Sequence, residues 1–256
     1  GIEFDLNPIE IYEYSDMIEN MSNFMTGLNI GYDINAHQQL NLQILDSRNG
    51  SFNKMYGVET EDGEQPAIES GKLPLVYTLN WNGNFNDIFK TRWSASIMNE
   101  AKDKNLYYFA FGNELNLNKF NMFLDFMYSK EGIDRKGIMT GITDSMEGHN
   151  AFDAGYFSMV TKLNYRFLPK WNAFVKGMYE TASLTKQQGD LEKGKYRTAW
   201  GYFAGVEFYP MDTNLHFFLT YVGRSYDFTA RAKALGQENY STNRVSVGFI
   251  YQLPMF

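Results

Sequence analysis

The chain has 256 residues, a net charge of −7, no cysteine and 17% aromatic residues at a mean hydropathy of −0.41. The acidic balance leaves no basic face for nucleic acid, and the missing cysteines exclude disulfides, thiolate metal sites and thiol nucleophiles. No stretch approaches the ~18 apolar residues of a membrane helix, yet so many rings in a polar chain suit strands whose two faces meet different solvents.

In chain order, residues 1–7 alternate at Ile2, Phe4 and Leu6. That segment is too short to cross a bilayer, so Gly1 is expected mid-membrane with more chain upstream. Residues 8–22 follow, with Glu10, Glu13, Asp16 and Glu19 at threes around Ile11, Tyr14 and Ile18. This pattern suits a short helix folded into a channel mouth as a constriction loop, or a solvated outer loop.

From Phe24 onward the period is two, the strand signature. One face carries Phe24, Thr26, Leu28, Ile30, Tyr32 and Ile34, then Leu40, Leu42 and Ile44. It continues with Leu75, Tyr77, Leu79 and Trp81, then Phe89, Thr91, Trp93, Ala95 and Ile97. Residues 105–114 are apolar on both faces, and Tyr107, Phe109 and Phe111 are assigned to the same side. Phe120 to Tyr128, Phe157 to Tyr165, Trp171 to Tyr179, Thr198 to Phe208, Leu215 to Gly223 and Val245 to Leu253 complete eleven strands. None of these outward positions is charged, whereas Arg92, Lys162, Lys176 and Glu207 lie mid-strand on the other face.

The connections are expected to alternate in length. Tight ones fall at 35–38, 83–87, 116–119, 167–170 and 210–214, and long ones at 46–72, 129–150, 181–195 and 227–240, with a modest gap at 99–104. A Greek-key sandwich has no reason to keep this asymmetry. A transmembrane barrel has one, with tight turns on one side of the membrane and long loops on the other. Outward aromatics mark both rims: Tyr32, Trp81, Phe89, Tyr165, Trp171, Phe208 and Tyr251 beside the tight turns, Tyr107, Tyr128, Tyr179 and Tyr221 beside the loops. Such belts sit at membrane interfaces. The expected fold is therefore all-β, an antiparallel transmembrane β-barrel forming one domain over 1–256 and lacking N-terminal strands.

Three stretches carry a family likeness. GIEFDLNP at 1–8 with YEYSDM at 12–17, QILDSRNGS at 43–51 and RVSVGFIYQLPMF at 244–256 resemble Bacteroidota-type outer-membrane porins of the phosphate-selective porin O and P superfamily. The resemblance spans the whole chain. It implies a barrel of about 16 strands, usually trimeric or part of a larger outer-membrane complex, of which this chain holds roughly the C-terminal 12. Phe249, Tyr251, Leu253 and Phe256 resemble the terminal signal read by barrel-assembly machinery. The implied surroundings are outer-membrane lipid and lipopolysaccharide, and the implied cargo is small anionic or hydrophilic solutes. Phosphate-specific members of the family line the pore with an arginine ladder and lysine clusters, which are not carried over to residues of this chain because the family's upstream strands are expected to lie outside it.

The charges phased inward are Lys90, Arg92, Lys162, Arg166, Lys176, Arg197, Arg224 and Arg244, against Asp33, Glu114, Asp125, Glu180 and Glu207, a net of +3. A basic lumen raises the local concentration of anions; the competing reading is paired charges that stiffen the wall. Glu59, Glu61, Asp62 and Glu64 form an acidic run more consistent with a solvated loop than a cation site. His37, His149 and His216 lack spaced partners, and no metal or phosphate-loop motif occurs, so neither enzymatic activity nor a cofactor is expected. The expected function is passive diffusion through a water-filled, mildly basic lumen, with a non-conducting structural partner in a secretion or uptake complex as the alternative.

Overall fold

The computed structural model describes residues 26–46, 75–101, 104–134, 136–143, 151–210 and 215–251. The residues 1–7 and 8–22, Leu253 and Phe256 lie outside them, as does the acidic run at 59–64.

The described strands are β1 (Thr26–Asn35), β2 (Gln38–Asp46), β3 (Leu75–Phe85), β4 (Phe89–Ala101), β5 (Lys104–Leu117) and β6 (Phe120–Ile133). After them come β7 (Phe152–Leu168), β8 (Trp171–Leu184), β9 (Gly194–Phe208), β10 (Leu215–Phe228) and β11 (Tyr240–Tyr251). All 11 lie in one antiparallel sheet, each hydrogen-bonded to its neighbours in chain order. Helix α1 (Ile138–Thr143) lies between β6 and β7, and helix α2 (Ala230–Ala234) between β10 and β11.

Local chemistry explains the tight turns. Asn86 and Asp87 both take positive φ, 57° and 56°, the left-handed pair that matches the twist of a hairpin. Asn84 locks that turn, its Oδ1 accepting from Asp87 N at 3.0 Å and its Nδ2 donating to Asp87 Oδ1 at 2.8 Å. In the β1–β2 turn, Asn35 Oδ1 accepts from His37 N at 2.8 Å, an Asx turn.

Register places like with like. Tyr32, Leu40, Trp81, Trp93, Phe111, Phe126, Met159, Tyr179 and Trp200 oppose one another across successive strands. Within this row Trp81 meets Trp93 edge-on at 5.0 Å, and Trp93 meets Phe111 at 5.6 Å. Such ring pairs stabilise a sheet by roughly 0.2–1 kcal/mol each. The row starts close to the turn after Asn35 and ends far above the turn after Phe208. The strands are therefore staggered, as the wall of a tilted barrel must be.

Burial is inside-out for a soluble protein. The ring-bearing face is exposed, Val247 at 80% and Tyr32 at 69%, and the phase chosen for 105–114 holds, with Tyr107, Phe109 and Phe111 exposed and Ala110 buried. On the concave face Asp125 and Glu180 are at 0% exposure. Only an apolar solvent outside makes that arrangement favourable.

The structure departs from expectation at the long-loop rim. Length alternation is not strict, because β4 ends at Ala101 and β5 begins at Lys104. Several strands also run further than their alternation, β6 to Ile133, β7 from Phe152, β8 to Leu184 and β9 from Gly194. The outward positions in these extensions include Lys130, Gly155 and Ser183. Beyond the lipid the outward side need not be apolar, so the period-2 signal fades while the ladder continues.

Candidate functional site

The concave face is organised in rows. Glu114, Phe123, Lys162, Lys176, Phe203, Val222 and Arg244 oppose one another from β5 to β11. The next row toward the loops runs from Asp33 through Gln39, Asn82, Arg92, Gly112, Asp125, Val160, Met178 and Gly201 to Arg224. The one after it includes Ser158, Glu180, Ala199 and Tyr226. The inward phase of the thirteen charges read from the sequence thus puts them on one surface, at different depths. Asp125, Lys162, Lys176, Glu180, Arg197, Glu207 and Arg224 are buried, Lys90 and Glu114 half-buried, and Asp33, Arg92, Arg166 and Arg244 exposed. Phe249 and Tyr251 face outward on β11 at 66% and 54% exposure.

Buried charges need partners, and the sequence interleaves them with rings. Arg197 Nη2 donates to Glu180 Oε1 at 2.7 Å. Its guanidinium lies 4.9 Å from the Tyr226 ring centre, and that of Arg224 5.3 Å from the same ring. Lys162 and Lys176 directly oppose each other, a pairing that would repel. Their ammonium groups sit over Phe174 at 4.9 Å and Phe203 at 5.5 Å, where the ring quadrupole offsets part of the cost. At the tight-turn end, Glu207 Oε2 accepts from Asn172 Nδ2 at 2.8 Å, and Glu207 Oε1 lies 3.7 Å from His216 Nε2. Burial, reinforced by that carboxylate, pushes the Tyr209 hydroxyl up to about 12.

Toward the loops the face is not the polar, wetted wall expected from alternation. Met127, Val160, Met178, Leu184, Tyr196 and Tyr226 form part of an apolar cluster, and Ile138, Met139 and Ile142 of α1 are buried in it. Helix α1 of the β6–β7 connection therefore lies inward. Asp134 anchors it, accepting from Gly137 N at 3.2 Å, Thr140 N at 2.7 Å, Thr140 Oγ1 at 2.8 Å and the Tyr156 hydroxyl. Burial raises the Asp134 pKa above the usual carboxylate value. Behind it, Lys136 pairs with the fully buried Glu131 at 3.1 Å. Gln237, beyond α2, donates to the Gly141 and Ile142 carbonyls at 3.3 Å each. Parts of two connections thus meet over the concave face.

Sequence reasoning treated 129–150 as a plain loop and missed this. The available signal was Ile138, Met139 and Ile142 at helical spacing, a few residues after Asp134. It also missed Lys104 and Lys186, which pair with Asp153, Lys136, which pairs with Glu131, and Asp134, which is held by Tyr156 and Thr140. The three lysines and three carboxylates cancel and leave the net of +3 unchanged.

A family profile described as "Phosphate-selective porin O and P" matches residues 1–253. No curated protein matches the chain. Among solved structures, a porin is similar over 88% of this chain and 62% of its own, at 8% identity and a TM-score of 0.47. OccD3 (OpdP) of Pseudomonas aeruginosa is similar over 90% and 58%, at 13% identity and 0.47. OccAB3 of Acinetobacter baumannii is similar over 89% and 57%, at 13% identity and 0.48. The chain spans less than two thirds of the length of each.

Proposed function

Because the chain belongs to the phosphate-selective porin O and P family of the bacterial outer membrane, we propose that it walls a channel for passive diffusion of small hydrophilic solutes and ions. One observation carries this reading. The sheet exposes its rings and aliphatics on one face and turns its charges to the other, so lipid and an aqueous lumen are its two natural solvents. Closure of the wall follows from the same physics, since β1 and β11 are edges of the described sheet and open edges in hydrocarbon leave backbone groups unpaired. Upstream strands would complete it, residues 1–256 being one part of that barrel domain. The segment 8–22, with Glu10, Glu13, Asp16 and Glu19, is proposed as an additional mouth constriction, and Phe249, Tyr251, Leu253 and Phe256 as the assembly signal. A homotrimer or a larger outer-membrane complex is the proposed assembly.

The finer part of the proposal is a mild anion preference, phosphate among the candidates, from the net basic inner face. Reconstitution into planar bilayers tests both parts. Open conductance steps are expected, with a reversal potential in a salt gradient on the anion side. A cation-side potential removes the preference while leaving the channel.

A second reading has support of its own. The apolar cluster and α1 fill the loop side of the concave face along β6–β10, which also suits a non-conducting barrel serving as structural partner in a secretion or uptake complex. Absence of conductance from correctly folded protein favours that reading.

A further inference from the structure

The inner face beside the tight turns carries a chain of carboxamides that the charge rows do not explain. Asn116 opposes Asn121, and Asn121 opposes Asn164, on β5, β6 and β7. Asn172 comes from the next strand, β8. Two carboxylates decide which way these amides point. Glu114 Oε1 accepts from Asn116 Nδ2 at 2.8 Å and from Asn121 Nδ2 at 3.0 Å. Asn121 also donates to Asn116 Oδ1, and Asn164 Nδ2 donates to Asn121 Oδ1 at 3.1 Å. Asn172 donates its nitrogen to Glu207.

With the nitrogens drawn toward carboxylates, the oxygens are left at the free ends. Asn164 Oδ1 and Asn172 Oδ1 accept no hydrogen bond from a described residue. Both side chains line an open recess of about 440 Å³, edged by Lys119, Arg166 and Tyr209. Tyr209 is held by its ring contact with His216 at 5.0 Å.

An anion entering there meets two cations, Lys119 and Arg166, offset by the Glu114 and Glu207 carboxylates behind the amides, and amide oxygens that cannot donate to it. A polyhydroxylated neutral solute fits the same set. Its hydroxyls donate to the two amide oxygens and accept from the Arg166 guanidinium and the Lys119 ammonium, while the Tyr209 ring offers apolar surface to its C–H face. We propose that this recess is a carbohydrate-binding subsite at the tight-turn end of the inner face. Its role in passage rests on the channel reading; binding itself does not.

Maltotriose is the probe. In planar bilayers it is expected to interrupt the ion current of the wild-type protein, and inorganic phosphate at the same concentration is not. The double substitution Asn164→Leu and Asn172→Leu should shorten the interruptions about tenfold, the effect of losing two modest hydrogen bonds. Glu114→Gln, a milder change, should weaken the sugar severalfold by releasing the amide chain, so the test survives a misfolded double variant. Calorimetric titration of maltotriose into detergent-solubilised protein reads binding without conduction. A silent barrel that binds the sugar overturns the channel and leaves the subsite standing. Three results overturn the subsite: no heat of binding in the wild type, interruptions by phosphate that exceed those by sugar, or folded variants that bind maltotriose as the wild type does.

Discussion

Leu219 lies in the middle of β10, 49% exposed, between Val206 and Val247 on the neighbouring strands. In a soluble protein an exposed leucine exchanges for arginine within about ±0.5 kcal/mol. Facing acyl chains, the same change should cost about 2–4 kcal/mol. Urea unfolding of Leu219→Arg in lipid vesicles measures the difference, and a loss under about 0.5 kcal/mol would argue that this face meets water. Residue identity was readable here because alternation assigns each side chain a face. What each inward charge touches was not readable. The pairing of Arg197 with Glu180, and the placing of Lys162 and Lys176 over phenylalanines, depend on cross-strand register, which alternation leaves undetermined.

Helix α1 is too short to be stable alone and owes its position to Asp134 and to the apolar cluster it enters. The Asp134 carboxyl faces the Tyr156 hydroxyl and the Thr140 hydroxyl, with the Glu131 carboxylate nearby, itself paired with Lys136. Burial raises its folded pKa, so the folded state holds the proton more tightly than the unfolded chain. The sign follows: docking is strongest below the ordinary carboxylate value and is lost progressively as pH rises through the raised one. Hydrogen-exchange protection factors of Ile138–Thr143, corrected for intrinsic rates, should fall over that window in the wild type and stay flat in Asp134→Asn. Protection that rises with pH contradicts the assignment. Elements of this kind resist sequence reading because six residues give too short a pattern, and because their stability comes from a surface that exists only once β7–β9 are paired.

On the proposed inner face the charges phased inward sum to +3, and Lys162 directly opposes Lys176 there. Exchanging both for glutamate turns the inner-face balance from +3 to −1, which should move the reversal potential toward cations in a salt gradient. An unchanged potential would place the ion path away from these strands. The proposed carbohydrate subsite lies at the tight-turn end, where amide oxygens sit beside the Lys119 and Arg166 cations at the edge of the recess. A general basic field and a site for a neutral solute can therefore coexist in one lumen.

Alternation, turn chemistry and ring placement determined the eleven described strands, the two faces and the membrane setting, because each depends on a residue and its immediate neighbours. Tertiary structure alone decided the inward position of helix α1, the apolar filling of the loop side, the partners of the buried charges and the direction of the amide chain. These depend on residues far apart in sequence, such as Gln237 and Gly141 or Asn121 and Asn164. Strand pairing and the docking of the connections bring such residues together, and no local pattern encodes that distance.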